Sequence, residues 1–183
     1  MTYRPTPKVI GDIIPKVRVA LNGTHVKFDG ITPFYDYGTT TEVVNRLTKM
    51  TASTTEYDKK YPLIWLLIDD GTIHEKITPQ NSVKRAVQNL QIVICTQSNE
   101  SFTTAERYTN IVEPILRPIY DSLMSNIKKS KLVSSADKKY EHDYYENLFW
   151  GRTGLYGREG NIFNDRIDAL IIDNLKLLII KNC

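Results

Sequence analysis

Histidine and cysteine are scarce in this chain, and their scarcity removes whole classes of chemistry. The three histidines are His25, His74 and His142, and the two cysteines are Cys95 and Cys183. No two histidines stand four apart and none falls in a Cys/His cluster, so the ligand spacing of a zinc site is missing. Two cysteines, one in a predicted strand and one at the last position, give no disulfide framework, which fits a reducing cytosol. A surplus of one charge is missing too. Lysine and arginine number 24 against 21 acids, and the net charge of +3 is too small for the basic stripe that nucleic-acid binding needs. No apolar run approaches the ~20 residues of a membrane helix. Arg4, Lys8, Asp12 and Lys16 interrupt the first stretch, so no signal peptide and no membrane association are expected. Gly151, Gly154, Gly157 and Gly160 recur at intervals of three, but no Gly-Lys-Ser/Thr follows and no strand leads into them. They read as a flexible hairpin or loop, not a phosphate loop. A Gly-x-Ser-x-Gly elbow is also lacking, which excludes the usual serine hydrolase. No catalytic, cofactor-binding or metal-binding residue is therefore assigned, and a non-catalytic protein is expected.

What the chain does have is an ordinary globular composition and strong periodicity. With 183 residues, 41% hydrophobic and 25% charged, it reads as a single domain over 1–183. The centre of the pattern is 89–129. Asn89 to Cys95 alternates and then becomes a β-branched run, as a half-buried to buried strand does. Thr103-Thr104-Ala105-Glu106 is a capping box. Behind it, Ile111, Val112, Ile115, Leu116, Ile119, Tyr120, Leu123, Met124 and Ile127 form one broad helical face. Pro114 and Pro118 predict a kink or break near Glu113. Pro5 to Leu21 reads as an amphipathic helix troubled by Pro15, and His25 to Phe28 as a short strand. Thr32 to Gly38 reads as a packed loop or edge strand, and Thr39 to Met50 as a second helix. Tyr61 to Ile68 is a buried strand with Pro62 at its start. The strand beginning at Asn89 could start as early as Val83 and pair with it. Ile167 to Ile180 is a long strand with a bulge at Asn174, and its apolar character suits a central place. The expected fold class is α/β (α+β): a mixed, mainly antiparallel sheet holding the Tyr61, Asn89 and Ile167 strands. The long helix lies across it, burying Ile111, Ile115, Ile119 and Leu123.

Two stretches could carry chemistry. Asp69 and Asp70, with His74, follow a buried strand and could form a small enzyme site, though the bland reading is a solvated turn before Gly71. Lys128, Lys129, Lys131, Lys138 and Lys139, with Tyr140, Tyr144 and Tyr145, could serve a nucleic-acid-binding accessory protein. Asp137, Glu141, Asp143 and Glu146 dilute that charge, so a solvated loop is the simpler reading. The span 128–143 is expected to be a mobile insertion. Cys95 reads as a packed apolar group.

The order helix, strand, helix, strand, strand, long helix, glycine-rich aromatic hairpin, last strand resembles that of tailed-phage tail-terminator and head-to-tail connector proteins. Four stretches look like those of virion proteins from phages and prophages of gut Bacteroides-type bacteria. They are Lys60 to Ile64; Thr103 to Tyr108 with Pro114-Ile115-Leu116 and Pro118-Ile119-Tyr120; Leu148 to Gly151; and Phe163-Asn164-Asp165 with Asp168-Ala169 leading into Leu175-Lys176-Leu177. The resemblance implies a structural virion subunit with no catalytic residue. It would form a closed homo-oligomeric ring, of six or twelve copies, in the neck or tail. That ring would join portal or connector to tail proteins and surround DNA without reading its sequence. It would be assembled in the host cytoplasm. The lysine-rich span is not part of that pattern.

Overall fold

A computed structural model of the chain describes residues 5–17, 33–68, 74–77, 84–130, 133–135, 141–149 and 165–180. The readings made for 25–28, 69–70 and 151–164 lie outside them. The fold is α+β, as the periodicity predicts. Two long strands, β4 (Lys84–Gln97) and β7 (Arg166–Ile180), run antiparallel and form the spine of a seven-stranded sheet. Shorter strands line both outer margins. Along β4 lie β2 (Leu63–Leu67), opposite 91–95, and β3 (His74–Ile77), opposite 85–88. Along β7 lie β6 (Glu141–Phe149) at one end and β5 (Val133–Ser135) at the other. Beyond β2 comes β1 (Phe34–Gly38), the one parallel pair among the described strands. All five residues of β2 are buried, as its continuous apolar run requires.

Helices cover both faces. On one face Leu90, Ile92 and Ile94 of β4 pack with Leu170, Ile172, Leu175, Leu177 and Ile179 of β7. Over them lie α1 (Thr6–Gly11), a further helical turn at 14–17, and the long helical rod. On the other face Val93, Cys95, Ile167, Ala169, Ile171 and Trp65 meet Val43, Val44, Leu47 and Met50 of α2 (Thr40–Ala52). Each fully buried aliphatic side chain in these layers contributes about 1.5–3 kcal/mol.

Strand β7 keeps its apolar side in phase by a bulge at the expected residue. Even-numbered Leu170 and Ile172 share a face with odd-numbered Leu175, Leu177 and Ile179. Between Leu90 and Ile92 on β4, the pairing on β7 jumps from Leu175 to Ile172, and Asn174 adopts φ 55°. Asparagine tolerates that left-handed conformation better than most residues.

The rod begins as α3 (Thr104–Arg107), widens to π geometry over Tyr108–Leu116 and continues as α4 (Arg117–Lys129). Its Thr103 capping box is present: Glu106 N–H reaches Thr103 Oγ1 at 3.4 Å, and Thr103 N–H reaches Glu106 Oε2 at 2.8 Å. Thr39 and Glu42 repeat the motif at α2. No break occurs near Glu113: the helical residues run on without interruption, and the change there is the π geometry itself. Pro114 lies inside the π segment, and Pro118 follows directly behind it as the second residue of α4. Ile111, Leu116, Ile119 and Leu123 are buried, and Ile115 is half-buried. The helix expected from Pro5 is interrupted by a turn at Asp12 and Ile13, which places Pro15 at the start of the next helical turn.

The mobile insertion expected over 128–143 falls in part on 131–132 and 136–140, which lie outside the described residues. Lys128 and Lys129 finish α4, Val133–Ser135 pairs with β7 as β5, and β6 starts at Glu141. Backbone pairing joins β5 and β6 to β7 of the spine.

Candidate functional site

Of the small enzyme site read at Asp69, Asp70 and His74, only His74 lies among the described residues. His74 opens β3 opposite Gln88. Asp69, Asp70, Lys131, Lys138 and Lys139 lie outside the description, and Lys128 and Lys129 are exposed at the end of α4. His142 stands on β6 with Nδ1 3.4 Å from the Tyr120 hydroxyl. Among the described residues no group of three or more His, Cys, Asp or Glu could hold a metal ion. Likewise no described helix is long and apolar enough to cross a membrane. Cys95 is completely buried, and burial pushes its thiol well above the usual range, so it remains a protonated apolar group.

The geometry instead gathers polar groups where β4 ends and β7 begins. Gln97 hands the chain to a turn in which Asn99 Oδ1 accepts from Ser101 N–H at 3.0 Å and Ser101 Oγ at 2.9 Å. Ser98 N–H donates to Arg166 C=O at 2.8 Å, fastening that turn to β7. An open cleft of about 600 Å³ lies here, lined by Gln97, Ser98, Asn99, Glu100, Phe102, Ile111, Asp165 and Arg166. Its charges are paired on the wall: Arg166 with Glu100, and Asp165 with Lys60 at 2.8 Å. Lys60 is itself buried. Its ammonium also donates to Thr51 Oγ1 at 2.9 Å and sits 4.5 Å from the Tyr57 ring centroid.

A buried ion pair anchors this corner. Arg107, 4% exposed, sends Nη1 to both oxygens of the fully buried Asp168 at 3.1 and 3.2 Å. The same nitrogen reaches Ser98 Oγ, and Nη2 donates to Asn99 C=O at 2.7 Å. Asp168 Oδ1 also accepts from Asn147 N–H at 2.7 Å. Asn147, at φ 53°, is the bulge where β6 slips its register against β7. One guanidinium and one carboxylate thus tie the helix start, the β4 turn, the β7 strand and the β6 bulge. Beside them the Tyr144 hydroxyl is buried without a partner among the described residues. Burial, then the charges of Asp168 and Glu146, push its phenol far above the usual range, so it stays neutral.

Chemically this corner is a clamp. The guanidinium is always charged and both of its terminal nitrogens are engaged, while the carboxylate accepts from two directions. Sequence reasoning missed both residues. The signal was present as two misfits: Asp168 sits two before Leu170 on the face of the long rod, and Arg107 sits four before Ile111 on the rod's buried stripe. No family model matches the chain, and no curated protein matches it.

Proposed function

We propose that the chain is a structural subunit of a tailed-phage virion, forming a closed ring in the neck or tail around the DNA channel. The observation that carries the reading is architectural. A mainly antiparallel sheet on a two-strand spine, with one long capped rod across a face, is the arrangement that the tail-terminator and connector resemblance implies. The committed polar groups support the same reading. Arg107, Asp168, Lys60 and Asp165 are spent on joining elements, as suits a part whose task is to hold shape. Identical subunits related by rotation repeat one head-to-tail contact, and a ring closes when that rotation divides a full turn. Portal or connector proteins would lie on one side and tail proteins on the other. DNA would slide through the lumen without tight phosphate contacts, and the net charge of +3 is compatible with that.

The test is the state of the protein in its native particle. Purified virions imaged on their axis are expected to show a closed ring of identical copies at the neck or tail. A free monomer turning over a small substrate through Asp69, Asp70 and His74 would overturn the reading. So would a chain whose main activity is salt-sensitive retention on DNA through Lys128 to Lys139.

A further inference from the structure

The free margin of β1 is the place where a further strand could join the sheet, and it carries a closed clasp. Among the described residues β1 ends the strand order on its side. In a parallel pair alternate residues bond the neighbour. Phe34 N–H reaches Pro62 C=O at 2.8 Å, and Gly38 C=O accepts from Ile68 N–H at 3.1 Å. Phe34, Asp36 and Gly38 therefore turn their peptide groups toward β2, and Tyr35 and Tyr37 turn theirs outward. Tyr37 does not leave its pair open. Its N–H donates to Asp36 Oδ1 at 2.8 Å, and its C=O accepts from Arg46 Nη2 at 3.0 Å. Arg46, reaching over from α2, also meets Asp36 Oδ1 at 2.6 Å. Side chains thus occupy both backbone groups that a visiting strand would need at that position.

This arrangement is costly for the fold. Asp36 is 3% exposed, and its second oxygen has no partner among the described residues. Phe34, on the same side of β1, packs against the α2 cluster, so the alternation would suit an apolar residue at 36. A buried carboxylate with an orphan oxygen calls for an explanation, and sheet margins are where proteins place inward-pointing charges to prevent strand addition. We propose that the Asp36–Arg46 clasp shuts the β1 margin against a second copy of this chain, and that opening it turns the margin into a self-association surface. A second copy is the fitting occupant because two β1 strands can meet antiparallel about a two-fold axis. Each would then satisfy the outward groups of the other. The exposed ring of Tyr37 would gain a cross-strand aromatic partner in that pairing. The inference does not depend on the ring reading.

Asp36→Ala with Arg46→Ala opens the clasp at both backbone groups, taking the acceptor from Tyr37 N–H and the donor from Tyr37 C=O. Its sedimentation is expected to show roughly a doubling of weight-average mass with rising concentration, beyond whatever assembly the wild-type chain forms, through two-fold pairing. Hydrogen exchange at the Tyr37 amide should be faster in the variant at high dilution and slow again as the mass rises. Asp36→Val with Arg46→Ala, which suits the apolar alternation at 36, decides the matter if the first variant does not fold. Adding Tyr37→Pro, which deletes the outward N–H on an edge strand, should return the mass to the wild-type value. Folded variants that keep the wild-type mass at every concentration would overturn the proposal. So would growth that Tyr37→Pro leaves unchanged.

Discussion

Asp168 is a residue whose cost and use can be separated. It lies under the start of the rod, where an apolar side chain would satisfy the packing, yet it holds Arg107 and the Asn147 bulge. Asp168→Ala leaves a buried guanidinium and the part-buried Asn147 N–H without their acceptor. The expected loss is about 3–5 kcal/mol, read from the urea midpoint. Replacing the pair together, with Arg107→Met and Asp168→Leu, should recover a large part of it, because no unpaired charge remains. The exposed capping carboxylates act on stability through pH. Glu42 and Glu106 are held below the usual carboxylate range, first by the backbone N–H groups of Thr39 and Thr103. A group with a depressed folded value stabilises above its unfolded value, and that help is lost as pH falls through the folded one. Asp36 runs the other way: burial raises it, so its contribution is fullest in acid and is lost as pH rises through the folded value. Glu42→Gln with Glu106→Gln is therefore expected to flatten the acid loss of stability. Asp36→Asn should gain relative to wild type as pH rises. Denaturation midpoints over a pH series measure both slopes, and equal slopes in all three proteins would contradict the assignments.

Elements were legible where their signals are local. The Thr103 box lies within four residues, the Tyr61 run within eight, and the asparagine in β7 marks its own bulge. Thr103→Ala should cost about 1 kcal/mol as a lost cap, and Leu116→Asp several kcal/mol as a buried unpaired charge, both measured by thermal melting. The bulge makes a sharper prediction. Deleting Asn174 leaves Leu175, Leu177 and Ile179 in phase with Leu170 and Ile172, whereas deleting Lys176 turns Leu177 and Ile179 to the opposite face. The Lys176 deletion should be much the less stable, and equal melting temperatures would refute the phase argument. Signals carried by tertiary partners stayed hidden. Lys84 to Gln88 has no clean alternation, and it is a strand because β3 and β7 pair with it. Arg107 and Asp168 stand 61 residues apart, too far for any spacing rule to join them. The prolines did announce trouble in the rod. The response is a wider helical turn over Tyr108–Leu116, whose Ile111 and Leu116 pack in the same cluster as the sheet residues of β4 and β7.

For the whole molecule, the layered arrangement of helix, sheet and helix follows from a sheet whose two faces are both apolar, since each must be covered. The order of pairing along the chain has a consequence for biosynthesis. Strand β7 joins β4, β5 and β6, yet it follows all three in sequence. A ribosome adds ~5–20 residues per second. The roughly 70 residues between the end of β4 and the start of β7 then take roughly 3–14 s to make at that rate. Throughout that interval the nascent chain carries β4 with one margin unfilled and with Leu90, Ile92 and Ile94 lacking their partners Leu175, Ile172 and Leu170 on β7. Strands β1 to β4 can pair with one another as they emerge, but β5, β6 and the second margin of β4 have to wait for β7. A nascent chain stalled before Arg166 should therefore bind a holdase chaperone, and one released after Ile180 should shed it.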